Sequence, residues 1–362
     1  MNKKLDSYLS RHEKLRPVVS GGLTAARVSV MPLLCLALMA ILCAAAGTQL
    51  FRGGDAGNVG ALFKNICYYA LLSFAVSINL HTGRMSFDCG AIMVLSTTVG
   101  FMVGVGNDNV FLTLLVAAAV GCLLSAISGA LYILLRLPSM IVSLGTTLIF
   151  EAIAYLLVRA FAYNGDIETI YLRRALTPKL LGFSASVSAM LIMALTATFF
   201  MIVVFHYTKF GYDYRALQGG QKIAVNTGVR EVGNAIGCYL ISGVLLGLAG
   251  VVNFTFATAV QPSINFGTVP LMFECFCPLF FGGFLTRYIN KQAGILIGVV
   301  SYSFIQSGLG QIRNALNWNN FVIPLINATI LVLFMIYQTN EAMIRARVRG
   351  WFRRRREGEA SA

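Results

Sequence analysis

Apolar runs long enough to cross a lipid bilayer recur along almost the whole chain. A helix needs about 20 apolar residues to span a hydrocarbon core of about 30 Å, and segments of that kind follow one another. We place ten of them at residues 28–51, 61–80, 88–105, 110–135, 138–161, 184–206, 233–257, 269–285, 293–312 and 321–337. The sequence therefore predicts an all-α polytopic membrane protein with about ten transmembrane helices, some of them broken or re-entrant.

Composition and charge agree with a surface that faces lipid. Hydrophobic residues make up 57% of the chain and charged residues only 12%, whereas soluble domains carry about 25% charged residues. The net charge of +14 is compatible with nucleic-acid binding, but the basic residues lie in the tails and in alternate loops, and 21 of the 28 Lys and Arg residues fall on one side of the predicted membrane. That asymmetry is the positive-inside pattern, and it predicts that both termini are cytoplasmic.

This topology divides the chain into three parts. Residues 1–27 form a basic cytoplasmic tail, residues 28–337 the transmembrane domain, and residues 338–362 a second basic cytoplasmic tail. The first apolar run is too long for the apolar region of a cleavable signal peptide, so we expect it to be retained as the first span. Two long polar loops remain, an external one at about 162–183 and a cytoplasmic one at about 207–232, and we expect each to meet a partner on its own face.

The cytoplasmic loop is punctuated by glycine. It runs from Lys209 to Val229 and contains several glycines that permit tight turns. This pattern predicts a short helix-turn-helix on the cytoplasmic face. Ile223, Ala224 and Val225 form a small apolar patch that could dock into a cleft of a partner, although an ordinary connecting loop would also fit.

This loop resembles the coupling loop of ABC importer permeases of the ribose/galactose (simple sugar) type, within the wider branched-chain amino acid/sugar/nucleoside permease family. The matching positions are Phe210, Gly211, Ala216, Gly219, Gly228 and Val229. Three further segments resemble family motifs in the same order, over about residues 60–335. They are Gly83–Ala91, Pro138–Thr146 and the pair Gly282-Gly283 followed by Gly294 and Gly298.

The resemblance implies a division of labour among subunits. The permease supplies the translocation path, a cytoplasmic ABC ATPase supplies energy, and an extracytoplasmic solute-binding protein delivers the solute. A second permease copy or a homologous permease completes the path in a bacterial inner membrane. The resemblance also places ATPase coupling on the loop residues Gly211, Arg215, Ala216, Gly219, Gly220 and Gly228. The chain has no G-x-x-x-x-G-K-[ST] segment, so we expect no catalytic residues and no cofactor of its own, with ATP bound by the partner subunit.

Polar residues at membrane depth are the candidates for the path itself. A carboxylate at the centre of a span costs about 2.5–3.5 kcal/mol on insertion scales, so such a residue is expected to face the protein interior. We select five polar residues within or next to the spans as candidates: Asp88, Ser86, Glu151, Asn253 and Glu274. Asp88 could instead cap its helix, and amide side chains often only hold helices together.

Three departures from the family pattern bear on the solute. The acidic and hydroxyl residues of the first motif are exchanged, as Ser86 and Asp88, and Glu151 stands near a position where the family has a basic residue. Pro278 is expected to interrupt the eighth span, and glycines the third. Paired interrupted spans in the two halves of a transporter indicate a substrate site.

Other classes of site find little support. The eight cysteines lie almost entirely within apolar runs, which indicates packing rather than disulfides or a metal site. No H-E-x-x-H or G-x-S-x-G segment is present, and this disfavours a membrane protease or hydrolase.

The expected function is the permease subunit of an ATP-driven importer for a small polar solute, in the first place a monosaccharide such as ribose. A nucleoside or a branched-chain amino acid remains an alternative solute. A secondary transporter is the alternative of a different class, and a membrane enzyme or assembly protein is a third.

Overall fold

The computed structural model describes residues 16–47, 56–107, 109–161, 187–256, 263–286, 289–319 and 322–340. Within those ranges the chain forms thirteen α-helices, one π-helical turn and no β-strand. The helices are α1 Arg16–Ala45, α2 Ala56–Leu80, α3 Cys89–Asn107, α4 Val110–Leu135, α5 Ser139–Phe161, α6 Val187–Ile202, α7 Lys209–Gly219, α8 Gln221–Asn226, α9 Glu231–Phe256, α10 Val269–Phe273, α11 Phe276–Leu285, α12 Lys291–Leu316 and α13 Val322–Thr339. The external loop at 162–183 and most of both tails lie outside the described residues.

The helices account for the ten predicted spans. Seven described segments are long and apolar enough to cross a membrane, and they lie in α1, α2, α4, α5, α6 with its π-helical turn, α9 and α12. Three shorter apolar stretches, at Cys89–Gly104, Val269–Leu285 and Val322–Leu333, correspond to the remaining predicted spans. The all-α, multi-pass prediction is confirmed.

Several boundaries differ from the prediction. Helix α1 begins at Arg16, well before the apolar run that starts at Val28. Helix α6 ends in a π-helical turn, Val203–Tyr207, which periodicity did not indicate. Helix α3 is continuous, because its glycines serve close packing rather than a break: a Cβ on Gly100 would lie 3.0 Å from the Cβ of Ala117.

The eighth span is interrupted, but not at Pro278. The break falls at Glu274 and Cys275, between α10 and α11, and Pro278 lies in the first turn of α11. Proline is tolerated there because the N–H groups of a first helical turn have no partner within the helix.

Helix α9 lies in the core and packs on α2, α3 and α4. Its contact with α4 depends on glycine: a Cβ on Gly243 would lie 2.5 Å from the Cβ of Ser125, and one on Gly247 would overlap the carbonyl oxygen of Ala117. Small residues let the two backbones approach closely, as is common between membrane helices. The Ser125 hydroxyl then donates to the carbonyl of Tyr239 at 2.6 Å.

The chain divides into two compact units, Met1–Ile312 and Arg313–Ala362. The first contains α1 to α11 and most of α12. The second contains the last turn of α12, where the Trp318 N–H donates to the Arg313 carbonyl at 3.1 Å, and the apolar helix α13. Every candidate site residue belongs to the first unit.

Candidate functional site

A non-helical segment that precedes α10 lies at membrane depth against α5. Glu151 is midway along the 23-residue helix α5 and is 2% exposed. Its carboxylate accepts hydrogen bonds from the backbone N–H groups of Phe266 at 2.9 Å and Thr268 at 2.8 Å, and from the Thr268 hydroxyl at 2.6 Å. One buried carboxylate therefore holds residues 263–268 inside the membrane-spanning part of the fold.

The same segment has an unusual backbone and an exposed surface. Asn265 and Phe266 have φ values of 60° and 63°, and residues 264–267 are exposed. Non-helical backbone at membrane depth is tolerated only where it lines a water-filled cavity or is covered by protein. It follows that this surface does not face lipid.

The interruption between α10 and α11 presents a second carboxylate. Glu274 is half-buried, and it accepts a hydrogen bond from the Tyr68 hydroxyl of α2 at 3.0 Å. Lys64, four residues before Tyr68, interacts electrostatically with the same carboxylate. Because residues four apart lie on one face of a helix, α2 presents a hydroxyl and a positive charge together to the break.

Aromatic rings form a row that includes Phe273, the residue before Glu274 in the chain. The ring centroids of Phe87 and Phe273 are 6.2 Å apart, those of Phe273 and Phe276 5.6 Å, and those of Phe276 and Phe280 6.0 Å. Phe273 is 42% exposed. An exposed ring offers an apolar face to a solute, and a carboxylate accepts hydrogen bonds from hydroxyl groups.

Asp88 and Ser86 lie together at the start of α3. Asp88 is 1% exposed; it accepts a hydrogen bond from the Ser128 hydroxyl of α4 and another from the Thr146 hydroxyl of α5 at 3.2 Å. Ser86 also hydrogen-bonds to Asp88 and lies 3.7 Å from the sulfur of Cys89. This cluster joins three helices, and a role in the path stays a prediction.

The Asp88 and Glu151 clusters flank the same helix start. A Cβ on Gly90 would overlap the carbonyl of Thr268, so the segment held by Glu151 rests on the first turn of α3. Glu274 directly follows α10 and accepts its hydrogen bond from Tyr68 of α2. Asn253 is half-buried on α9, and its side chain makes no hydrogen bond within the described part of the chain.

The predicted cytoplasmic helix-turn-helix is present as α7 and α8. The Thr208 hydroxyl accepts from the Gly211 N–H at 3.3 Å and caps α7, and Gly220, with φ 157°, separates the two helices. The six residues that we expect to couple to an ATPase lie in or next to this pair: Gly211, Arg215, Ala216, Gly219, Gly220 and Gly228. A Cβ on Gly211 would lie 2.5 Å from the Phe205 carbonyl, and Gly228 has φ 91°.

The outer surface of this pair carries apolar and cationic groups. Ile223 is 71% exposed, Val225 43% and Tyr212 61%, and the Arg215 guanidinium lies 4.5 Å from the Tyr212 ring centroid. Ala224 is 3% exposed, so its predicted place in the docking patch is wrong: on a helix, it faces inward between two outward neighbours.

A tyrosine joins α7 to the transmembrane helices. Tyr214 is 5% exposed, and its hydroxyl donates to the Ile78 carbonyl at 3.0 Å, at the end of α2. His81 follows in the adjoining loop, with Nδ1 2.6 Å from the Ser77 carbonyl. Burial lowers the pKa of His81 to about 4, and the positive charge of Lys291 adds to this. The imidazole is therefore neutral near pH 7.

Sequence reasoning missed four residues that complete these clusters, namely Lys64, Tyr68, Thr268 and Tyr214. Only the first two left a signal, since a lysine and a tyrosine one turn apart in an apolar run indicate a polar stripe on a helix face. Thr268 and Tyr214 act across long sequence separations.

Metal ligation receives no support from the described residues. No three His, Cys, Asp or Glu side chains there are grouped as a metal site requires. Cys275 and Cys277 are buried, and the Cys275 sulfur contacts the Met272 carbonyl at 2.9 Å.

Comparison with known proteins places the described helices in a transport context. Residues 58–335 match the family model described as "Branched-chain amino acid transport system / permease component". The matched range contains all the candidate site residues.

Curated relatives are similar at modest identity. The chain is 23% identical to the fructose import permease protein FruG of Bifidobacterium longum, over 76% of this chain and 82% of the relative. It is 25% identical to the autoinducer 2 import system permease protein LsrC of Photorhabdus laumondii, over 72% and 74%. It is also 25% identical to the D-allose transport system permease protein AlsC of Escherichia coli, over 67% and 74%.

Proposed function

Because the chain belongs to the family of branched-chain amino acid transport system permease components, we propose that it forms the translocation path of an ATP-driven importer for a monosaccharide. The chain is a multi-pass protein of the bacterial inner membrane. The family consists of transport permeases rather than enzymes. The single observation that best supports the path is the exposed non-helical segment 263–268 at membrane depth, since such backbone must meet water or protein.

The proposed solute rests on two lines of support. Three curated relatives carry fructose, autoinducer 2 and D-allose in their names. In addition, Phe273 has a half-exposed ring, and its chain neighbour Glu274 has a carboxylate. This pair suits a neutral ring with hydroxyl groups, because an aromatic face packs on C–H groups while a carboxylate accepts from O–H groups. Ribose is the monosaccharide that we propose first, and Ser86, Asp88 and Asn253 remain proposed path residues.

The proposed energy source is a separate ABC ATPase that docks on α7 and α8. Exposed Ile223 and Val225 offer an apolar contact, and Arg215 and Tyr212 add a flanking cation and ring. ATP would bind only to that partner, with no cofactor in this chain. A solute-binding protein on the external face and a second permease, of the same or a related sequence, complete the proposed importer.

Reconstituted transport tests this proposal. The chain would be purified with a candidate ABC ATPase and a candidate solute-binding protein from the same organism and placed in proteoliposomes. The proteoliposomes would be offered labelled ribose, fructose, allose, a nucleoside and leucine. We expect ATP-dependent uptake of a monosaccharide and stimulation of ATP hydrolysis by the loaded binding protein. Uptake of only the nucleoside or leucine would replace the solute while retaining the importer. Uptake that needs no ATPase and collapses with a protonophore would instead establish a secondary transporter.

A further inference from the structure

Two adjacent residues in segment 263–268 adopt a backbone conformation that side chains disfavour. Within the described part of the chain, four non-glycine residues have positive φ, and Asn265 and Phe266 are the only neighbours among them. Asparagine tolerates this region, but a bulky residue such as phenylalanine is an outlier there. Such strain persists only where surrounding structure imposes it, and it clusters at functional sites.

Glu151 supplies the constraint. Its two carboxylate oxygens accept from three donors, the N–H groups of Phe266 and Thr268 and the Thr268 hydroxyl. A carboxylate is an acceptor only and has room for about four donors. A glutamine at position 151 would replace one acceptor oxygen with an NH₂ donor. That donor would face the N–H of Phe266 or the donors of Thr268.

A second anchor fixes the segment from the other side. Thr268 is 1% exposed, and its carbonyl lies where a side chain on Gly90 would be. With Thr268 fixed between α3 and α5, the preceding residues turn outward. Phe266 remains 39% exposed, and Asn265 is exposed with no hydrogen bond to the described part of the chain.

We propose that Asn265 and Phe266 form a solute-contacting selectivity element of the path, and that Glu151 is the positioning residue that holds them there. This inference rests on the proposed importer function and deepens it. The Asn265 amide offers one donor group and one acceptor, which match the hydroxyls of a sugar. The Phe266 ring offers a flat apolar face for the C–H side of the same ring. Glu151 itself is covered by protein donors and does not touch the solute.

The first experiment tests whether the side chain of residue 265 is in contact with water. It can be done without the ATPase or the binding protein. Asn265→Cys would be treated, in purified reconstituted chain, with a charged methanethiosulfonate reagent, and the unsubstituted chain, whose cysteines are buried or half-buried, gives the background. Ile153→Cys is the matched control. Ile153 is 41% exposed on the membrane-spanning helix α5 and, two residues from Glu151, does not share its face of the helix. We expect Asn265→Cys to react about 100-fold faster, the factor by which a charge is excluded from the bilayer centre. Equal rates would overturn the proposal.

The second experiment tests positioning. In the reconstituted importer, Glu151→Gln is expected to raise the KM for the sugar about tenfold, the effect of losing one charge-assisted hydrogen bond, and to change the order of preference among sugars. Glu151→Asp, which keeps the carboxylate, is expected to restore that order in part. Phe266→Gly, which relieves the strained φ, should express well and lose discrimination. A lower yield of folded Glu151→Gln protein with unchanged KM and unchanged order would assign Glu151 a purely structural role and overturn the proposal.

The two experiments separate this inference from the importer assignment. If Asn265→Cys reacts rapidly but uptake is independent of ATP, the water-lined element stands and the ATPase partnership fails. If uptake is driven by ATP while Asn265→Cys matches the Ile153→Cys control, the importer stands and the selectivity element fails.

Discussion

Removal of the Asp88 carboxylate is expected to destabilise the junction of α3, α4 and α5. The carboxylate is 1% exposed and accepts from the Ser128 hydroxyl and from the Thr146 hydroxyl at 3.2 Å. Thr146 also donates to the Ser143 carbonyl at 3.1 Å, whereas among the described residues Asp88 is the one acceptor of the Ser128 hydroxyl. Ser86, which also hydrogen-bonds to Asp88, keeps the Cys89 sulfur as a partner. Asp88→Ala therefore leaves the buried Ser128 hydroxyl without an acceptor in the described part of the chain.

The free-energy cost follows from those contacts. An orphaned buried hydroxyl costs about 1–3 kcal/mol, and a lost hydrogen bond to a charged group about 1.5–3 kcal/mol, so we expect Asp88→Ala to lower the free energy of unfolding by about 3 kcal/mol. Asp88→Asn retains an acceptor oxygen and should cost about half as much. Combining Asp88→Ala with Ser128→Ala removes the orphan, and the pair should show a coupling of about 1.5 kcal/mol.

Unfolding by a denaturing detergent in mixed micelles would measure these differences. Thr196→Ala is the control, because the Thr196 hydroxyl donates only to carbonyls of its own helix, at 2.7 Å and 3.0 Å, and it should change stability by less than about 0.5 kcal/mol. Equal stability of Asp88→Ala and Asp88→Asn, or additive effects of Asp88→Ala and Ser128→Ala, would refute the reasoning.

Three further outcomes are expected. Gly247→Leu should lower the free energy of unfolding by about 1–3 kcal/mol through overpacking against Ala117. Gly145→Ala should not lower it, because a Cβ at Gly145 would meet open space. Equal losses of the two variants in thermal unfolding would contradict this. Because the pKa of His81 is depressed to about 4, the free energy of unfolding should fall as pH drops from about 6.5 towards 4. His81→Gln should remove that fall in a pH series, and an unchanged dependence of stability on pH in this variant would contradict the expectation. Ile223→Glu should abolish ATPase co-purification without altering the melting temperature; retained ATPase would argue against docking there.

The sequence predicted the spans well because length and hydropathy alone decide them. Helix α4, Val110–Leu135, coincides with the predicted segment, since Asn109 caps it and an unbroken apolar run fills it. Where two signals competed, the prediction failed. Pro278 was expected to break the eighth span, yet a proline in the first turn of a helix does not interrupt it. The helix instead breaks at Glu274, whose partners lie on α2.

The candidate site was predictable as a set of residues but not as an arrangement. A carboxylate within a span is costly enough to be noticed in any sequence, so Asp88, Glu151 and Glu274 stood out alike. Their donors come from Ser128, Thr268 and Tyr68, up to 206 positions away, and no local pattern shows such pairings. The positive φ of Phe266 depends on the same distant contacts, because a phenylalanine disfavours it, whereas the asparagine at 265 tolerates it.

The surroundings of the three carboxylates separate roles that the sequence cannot. Asp88 and Glu151 are each almost fully buried and receive hydrogen bonds from protein groups on other elements, so their charge is committed to joining helices or fixing a loop. Glu274 is half-buried at a helix break, follows the exposed Phe273 in the chain and interacts electrostatically with Lys64. A transport path needs contacts that form and release. A carboxylate that accepts one hydroxyl donor from the described part of the chain can exchange it for another at less cost than a carboxylate held by several donors. We therefore expect direct contact with a passing solute first at Glu274 and at the exposed residues that Glu151 holds in place, while Asp88 remains a proposed path residue.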